Sequence, residues 1–121
     1  MMIPILYVAA ALHAGFMVAE LFPWPMPALL STVSKTWLAT DSPFTPAQQN
    51  LVATIVHNAG IYNGILAGGL FWAARQGTSS SDLSQVLLAG ALVAGIFGAI
   101  TMKSWVPLLQ AAVGLAGLLL I

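Results

Sequence analysis

The chain has 121 residues, of which 60% are hydrophobic and only 5% are charged, and its three basic and three acidic residues give a formal net charge of zero. Soluble domains of this size carry about 25% charged residues, so the composition predicts a single integral membrane domain. Without a basic patch, nucleic acid is excluded as a partner. The absence of cysteine excludes disulfides, thiolate catalysis and cysteine-ligated metal sites.

Four segments are long and apolar enough to cross a hydrocarbon core of about 30 Å, which takes about 20 helical residues. The first covers residues 3–22 and ends before the PWPMP run at residues 23–27, because repeated prolines cannot continue a helix. We interpret it as a retained helix rather than a cleaved signal peptide, since no basic residue precedes its apolar run. The connection at residues 27–39 predicts a short helix in the membrane interface, anchored by Trp24 and Trp37.

A capping signal marks the start of the second helix. Thr45 is a candidate N-cap, Pro46 stands at the first helical position, and Gln48 is placed to complete a capping box. The remaining helices are predicted at residues 46–74, 82–102 and 105–121. The predicted fold is therefore all-α, a four-helix transmembrane bundle with a short interfacial helix between helices one and two.

Small residues recur at three- or four-residue spacing in three of the predicted helices. Such rows let helix backbones approach closely, which is how helices associate where there is no water to expel. We expect the row on the second helix to pack tightly against the row on the third. The rows are Gly60, Gly64 and Gly68 on the second helix, Gly90, Ala94 and Gly98 on the third, and Gly114 with Gly117 on the fourth.

Polar side chains are concentrated in one apolar stretch of the second helix, HNAGIYN at residues 57–63. Polar groups are costly in hydrocarbon and therefore face other helices or a water-filled cavity. At 100° per residue, His57, Asn58 and Tyr62 fall on one stripe of the helix. Asn63 lies about 120° from His57 and is expected to face a different neighbour.

The first and fourth helices carry polar residues that could meet this stretch. His13 and Glu20 are seven residues apart and share one face of the first helix. If the first two helices meet the same membrane surface, His13 and His57 lie at nearly equal depths of about 13 and 16 Å, with Gln110 between the levels of Glu20 and His13. We therefore predict a polar ligand-binding pocket. Its expected residues are His13, Glu20, Asn58, Tyr62, Asn63 and Gln110.

Several chemistries fit such a pocket. The facing histidines, His13 and His57, could hold a haem axially, and one imidazole could ligate the magnesium of a chlorophyll-type pigment. With Glu20 the histidines could bind a divalent metal ion, but two histidines and one carboxylate on only two helices are a sparse ligand set, and no metal residues are assigned. A His/Glu pair could also relay protons. The simplest alternative is that the histidines hydrogen-bond across helix interfaces and only stabilise the fold.

Motifs in all four predicted helices resemble the DUF1304 family of small bacterial four-helix membrane proteins. They are HAGFMVAELF, NAGIYNGILAGGLFW, AGIFGAIT and LLQAAVGLAGLLL. The resemblance implies the fold, a polar pocket and a bacterial inner or intracytoplasmic membrane, but no chemistry. His57 precedes the second motif, where the family has a variable polar residue, so the family pattern requires only His13. The residues of this chain that match the family pattern in this resemblance are His13, Glu20, Asn58, Gly60, Tyr62, Asn63, Gly64 and Gln110.

Two functional hypotheses follow from these observations. In the first, the pocket binds a small or lipid-like ligand, with His13 as base or ligand and Glu20 as its charge partner, and no reaction is assigned. In the second, the protein is an accessory transmembrane subunit of a larger respiratory or photosynthetic complex, in which His13, His57 or both bind haem or pigment or act as structural contacts. The expected partners are the lipid bilayer, other membrane subunits and a second copy of the chain.

Overall fold

A computed structural model describes residues 2–22, 44–77 and 81–121, together with Ser31 and Lys35. In this part of the chain all regular structure is α-helical, as predicted, and there is no strand. The predicted interfacial helix and its two tryptophan anchors lie outside the described residues, apart from Ser31 and Lys35. The described residues form four helices, α1 (Met2–Leu21), α2 (Pro46–Gln76), α3 (Ser81–Met102) and α4 (Leu108–Leu120).

Local sequence determines where α2 begins and ends. The Thr45 hydroxyl accepts a hydrogen bond from the backbone N–H of Gln48 at 3.3 Å, and the Gln48 side-chain oxygen accepts one from the backbone N–H of Thr45 at 2.9 Å. This is the predicted capping box, with Pro46 at a position that needs no donor. At the other end Gly77 has a φ of 68°, a backbone conformation that favours glycine.

The last helix begins at Leu108, three residues later than predicted. The N–H of Leu108 donates to the carbonyl of Trp105 at 2.9 Å, and the N–H of Gln110 donates to that of Pro107 at 3.0 Å. Bonds of this kind reach back three residues instead of four, so a tighter turn precedes the α-helix. The 13 residues of α4 then span about 20 Å.

The helices associate mainly as two pairs, α1 with α2 and α3 with α4, and smaller contacts join α1 to α4 and α2 to α3. The expectation that α2 and α3 pack tightly together is therefore wrong. A Cβ at Gly60 would lie 2.9 Å from Leu21 of α1, and one at Gly114 would lie 2.6 Å from the backbone of Leu92 in α3, whereas one at Gly68 would contact nothing. The closest glycine approaches thus fall within the two pairs.

The buried apolar core occupies the end of the helices that contains the start of α1 and the end of α2. His13 follows this core on α1 and is also fully buried, so a polar group borders the apolar interior. The core residues are Leu6, Ala9, Ala10, Leu70, Ala73, Ala74 and Leu88.

Within the described part of the chain, two helices are long and apolar enough to cross a membrane, over Pro4–Leu21 in α1 and Asp82–Met102 in α3, and α4 is a shorter apolar helix. Only 22% of each of the two long apolar windows is buried within the structure. Much of their apolar surface therefore faces outward, as at Val8, Val93 and Phe97.

Candidate functional site

Three helices bring four polar side chains together around the amide of Asn63 in α2. Asn63 Nδ2 donates a hydrogen bond to Glu20 Oε2 at 2.7 Å, and Asn63 Oδ1 accepts one from Gln110 Nε2 at 3.2 Å. The same oxygen lies 2.9 Å from His13 Nδ1. His13 and Glu20 belong to α1 and Gln110 to α4, so the amide joins three helices. We call these four residues the Asn63 cluster.

Asn63 reaches these neighbours because it lies on the small-residue face of α2. On that face Gly60 packs against Leu21, and Gly64 packs against Met17, both in α1. The missing side chains let α1 approach closely enough for the short Asn63 side chain to bridge the gap. The glycine row therefore positions the cluster.

His13 is the most enclosed member of the cluster, since none of its surface is exposed. Its Nδ1 faces Asn63, but its Nε2 is buried and has no hydrogen-bond partner among the described residues. Glu20, Asn63 and Gln110 are half-buried. The cluster thus extends from the interior at His13 to the surface at the other three residues.

Three polar residues of α2 that the sequence placed at a site lie outside the cluster. The side chains of His57, Asn58 and Tyr62 are all exposed, Tyr62 to 65%, and none of them forms a hydrogen bond with the described residues. They share a stripe as the helical pattern predicts, but that stripe faces outward. The structure therefore brings together four of the six predicted ligand-binding residues and leaves Asn58 and Tyr62 apart.

The prediction that His13 and His57 face each other was wrong. His57 lines a shallow surface depression with Leu21, eight residues beyond His13 along α1, or about 12 Å. The estimate of equal depth assumed that the end of α1 and the start of α2 lie at the same membrane surface. However, α2 has 31 residues against 20 in α1, and Leu21 at the end of α1 packs against Gly60, well inside α2 rather than at its start. As a result Asn63, rather than His57, is level with His13.

Metal ligation by the two histidines and Glu20 has no geometric basis. Within residues 2–22, 44–77 and 81–121, no three His, Cys, Asp or Glu side chains are grouped so that they could hold a metal ion. The cluster instead offers one imidazole, one carboxylate and two amides. These groups are suited to hydrogen bonding with a small polar molecule.

Sequence comparison assigns the chain to a family. No curated protein and no solved structure matches it. A family model described as "Protein of unknown function (DUF1304)" matches residues 7–121, nearly the whole chain and all four members of the Asn63 cluster. This match confirms the resemblance carried by the helix motifs, and the chain belongs to the DUF1304 family.

Proposed function

We propose that this protein is integral to a bacterial inner or intracytoplasmic membrane and that its four helices cross the bilayer as one bundle. The exposure of the apolar helices supports this location. The apolar windows of α1 and α3 are only 22% buried, whereas the core helix of a soluble protein is mostly buried. Val93 and Phe97, near the middle of α3, are 65% and 68% exposed. Soluble monomers rarely expose contiguous apolar surface of this kind.

Within this bundle, we propose that the Asn63 cluster binds a small polar or lipid-like ligand. The observation that carries the proposal is the convergence of three polar side chains on the amide of a fourth, with the buried His13 Nε2 left without a partner among the described residues. Polar groups inside a membrane are costly and commonly mark binding or transport sites. A purely structural contact would be expected to satisfy its own polar atoms.

Each member of the cluster has a distinct role in this proposal. His13 provides a ring nitrogen that accepts a hydrogen bond, and Glu20 provides the charge that a ligand must match. Asn63 and Gln110 orient these two groups through their amides. Asn58 and Tyr62 have no role, because they face outward.

The test compares two asparagines of α2 that lie five residues apart. Asn63→Leu removes the centre of the cluster, and Asn58→Leu removes an exposed side-chain amide that has no hydrogen bond with the described residues. Each protein is purified gently from its native membrane, and small molecules that remain bound are identified by native mass spectrometry. We expect a bound molecule in the wild type and in Asn58→Leu, and its loss from Asn63→Leu. Retention by Asn63→Leu, or a wild type without any bound molecule, contradicts the proposal.

One observation favours the second hypothesis, an accessory subunit of a larger complex. The exposed polar stripe of His57, Asn58 and Tyr62 would face lipid unless another helix covered it. That helix would come from another subunit or a second copy of this chain. A haem or pigment would then be held by His13 or by His57 separately, because the two do not face each other.

Two measurements test this alternative. The first is a visible and near-infrared absorption spectrum of the gently purified protein, with and without dithionite, repeated for His13→Ala and His57→Ala. The second is the native size in mild detergent. A pigment or haem band that disappears in one variant, or a particle that contains other subunits, supports the alternative. A spectrum without any haem or pigment band, from a particle no larger than a dimer, contradicts this alternative.

A further inference from the structure

Glu20 is the one acidic residue of the Asn63 cluster, and it determines the directions of the hydrogen bonds there. An ionised carboxylate only accepts, so Asn63 turns its NH₂ group towards Glu20. The amide oxygen then faces His13 Nδ1 and Gln110 Nε2, and both of these nitrogens donate to it. His13 therefore carries its proton on Nδ1 and presents a lone pair at Nε2.

The cluster has more unused acceptors than unused donors. The acceptors are the second carboxylate oxygen of Glu20, the amide oxygen of Gln110 and Nε2 of His13. The unused donors are one N–H on Asn63 and one on Gln110. A ligand that supplies donors is therefore matched better than one that supplies acceptors.

The carboxylate of Glu20 also lacks a counter-charge. Among the described residues, no ion pair with a basic side chain is recorded for Glu20. Asn63 is the partner of Glu20, and an amide is neutral. A half-buried carboxylate without a cation is costly at low dielectric. With Glu20 ionised, the cluster carries one negative charge, which a bound cation would neutralise without protonation of the carboxylate.

Building on the ligand-binding function proposed above, we propose that the ligand carries a primary ammonium group. An ammonium supplies one positive charge and three N–H donors, which match the carboxylate of Glu20 and the surplus of acceptors in the cluster. A quaternary ammonium has the charge but no N–H to donate. A divalent metal ion is a poorer match, because no group of three charged or imidazole ligands is formed among the described residues.

The test uses three probes that share a hexyl chain: hexylammonium, hexan-1-ol and hexyltrimethylammonium. Their binding to the detergent-purified protein is measured by calorimetry for the wild type, Glu20→Gln, Asp82→Asn and Asn63→Leu. Glu20→Gln keeps an acceptor for Asn63 but removes the charge. Asp82→Asn is the matched control, because it removes an exposed carboxylate in the first turn of α3.

We expect hexylammonium to bind most tightly and to lose affinity at least about tenfold in Glu20→Gln, with no change in Asp82→Asn. Hexan-1-ol should bind weakly, with equal affinity for the wild type and Glu20→Gln, which shows that the variant is folded. If hexan-1-ol and hexylammonium bind equally well, the inference that the ligand is a cation is wrong, but the proposed ligand site is not contradicted. Equal binding of hexyltrimethylammonium overturns the need for N–H donors. If no probe binds, or if Asn63→Leu binds all of them as the wild type does, both this inference and the proposed site fail.

Discussion

At the scale of single residues, Asn63 forms side-chain contacts with two other helices, which the polar residues near it on α2 do not. Its amide contacts His13 and Glu20 on α1 and Gln110 on α4. Asn58 has the same side chain but is exposed and makes no such contact. The position of an amide on the helix therefore decides whether it organises a site or only lies on the surface.

Replacing Asn63 with leucine should destabilise the fold by about 2 kcal/mol or more, because three polar groups lose their common partner while Glu20 keeps its charge. Asn58→Leu should change the free energy of unfolding by less than about 0.5 kcal/mol, as is usual at exposed positions. Denaturant titration in detergent micelles measures both. Equal effects of the two substitutions would show that the cluster does not stabilise the fold.

The same geometry predicts a tautomer for His13. Nitrogen NMR of protein with isotope-labelled histidine should show His13 protonated at Nδ1 and unprotonated at Nε2, because Asn63 offers its oxygen to Nδ1. His57→Gln leaves His13 as the one histidine and makes the assignment unambiguous. A proton on Nε2 instead of Nδ1 in this protein would contradict the bond directions from which the ammonium ligand was inferred.

At the scale of helices, two devices in the sequence position the elements. The capping box at Thr45 determines the first turn of α2, and glycines determine how closely the helices of each pair approach. In the pair of α3 and α4, a Cβ at Gly114 would lie 2.7 Å from the carbonyl oxygen of Leu88, closer than real Cβ atoms come. Each device gives a prediction with a control in the same helix or helix pair.

Gly114→Ala should destabilise the protein by about 1–3 kcal/mol, since backbone on α3 must move to admit the methyl group. Gly90→Ala is the control on α3. Its Cβ would contact nothing within 4 Å, and alanine favours a helix over glycine by up to about 1 kcal/mol. Unfolding free energies should therefore change in opposite directions, and a similar loss in both variants would contradict the proposed packing of α3 on α4.

Thr45→Ala should cost about 1 kcal/mol, the usual effect of losing an N-cap. It should also speed amide hydrogen exchange at Gln48, whose N–H loses its acceptor. Thr54→Ala is the control, because the Thr54 hydroxyl bonds only to the carbonyl of Asn50 within the same helix. Unchanged exchange at Gln48 in Thr45→Ala would mean that the capping box does not hold the start of α2.

At the scale of the whole molecule, large apolar side chains cover much of the outer surface as well as the core. The fully buried side chains include the polar His13 and Ser84, whereas large apolar residues such as Val93 and Trp72 are at least 60% exposed. Hydrocarbon around the helices would cover these side chains without a protein partner. The membrane location proposed above therefore makes a prediction about depth.

Val93→Lys should impair membrane integration, because a lysine at the middle of a spanning helix costs about 2.5–3.5 kcal/mol. Leu83→Lys, in the first turn of α3, should be tolerated, since a lysine near a helix end can extend to the interface. The amount of protein that remains in membranes after alkaline washing measures both effects. If Val93→Lys increased the soluble, folded fraction instead, the membrane proposal would be wrong.

Much of the fold could be predicted from the sequence, because it depends on local patterns. Long apolar runs placed the four helices within a few residues, and Thr45, Pro46 and Gln48 marked the start of α2. The start of α4 was missed because the turn at Trp105 and Pro107 uses three-residue hydrogen bonds that composition does not reveal. The sequence did contain a signal for the role of Asn63, because Asn63 lies on the same face of α2 as Gly60 and Gly64. That signal was not used in the prediction.

What the sequence determined by itself was the chemistry available: an apolar all-helical chain, glycine rows for close packing, and a few polar side chains whose burial is costly. Only the tertiary structure decided which of those side chains meet. The offset between α1 and α2 depends on their unequal lengths and on glycine contacts between them, and neither is visible in the periodicity of one helix. That offset places Asn63 opposite His13 and leaves His57 on the surface, because a shift of a few residues along a helix exchanges one neighbour for another.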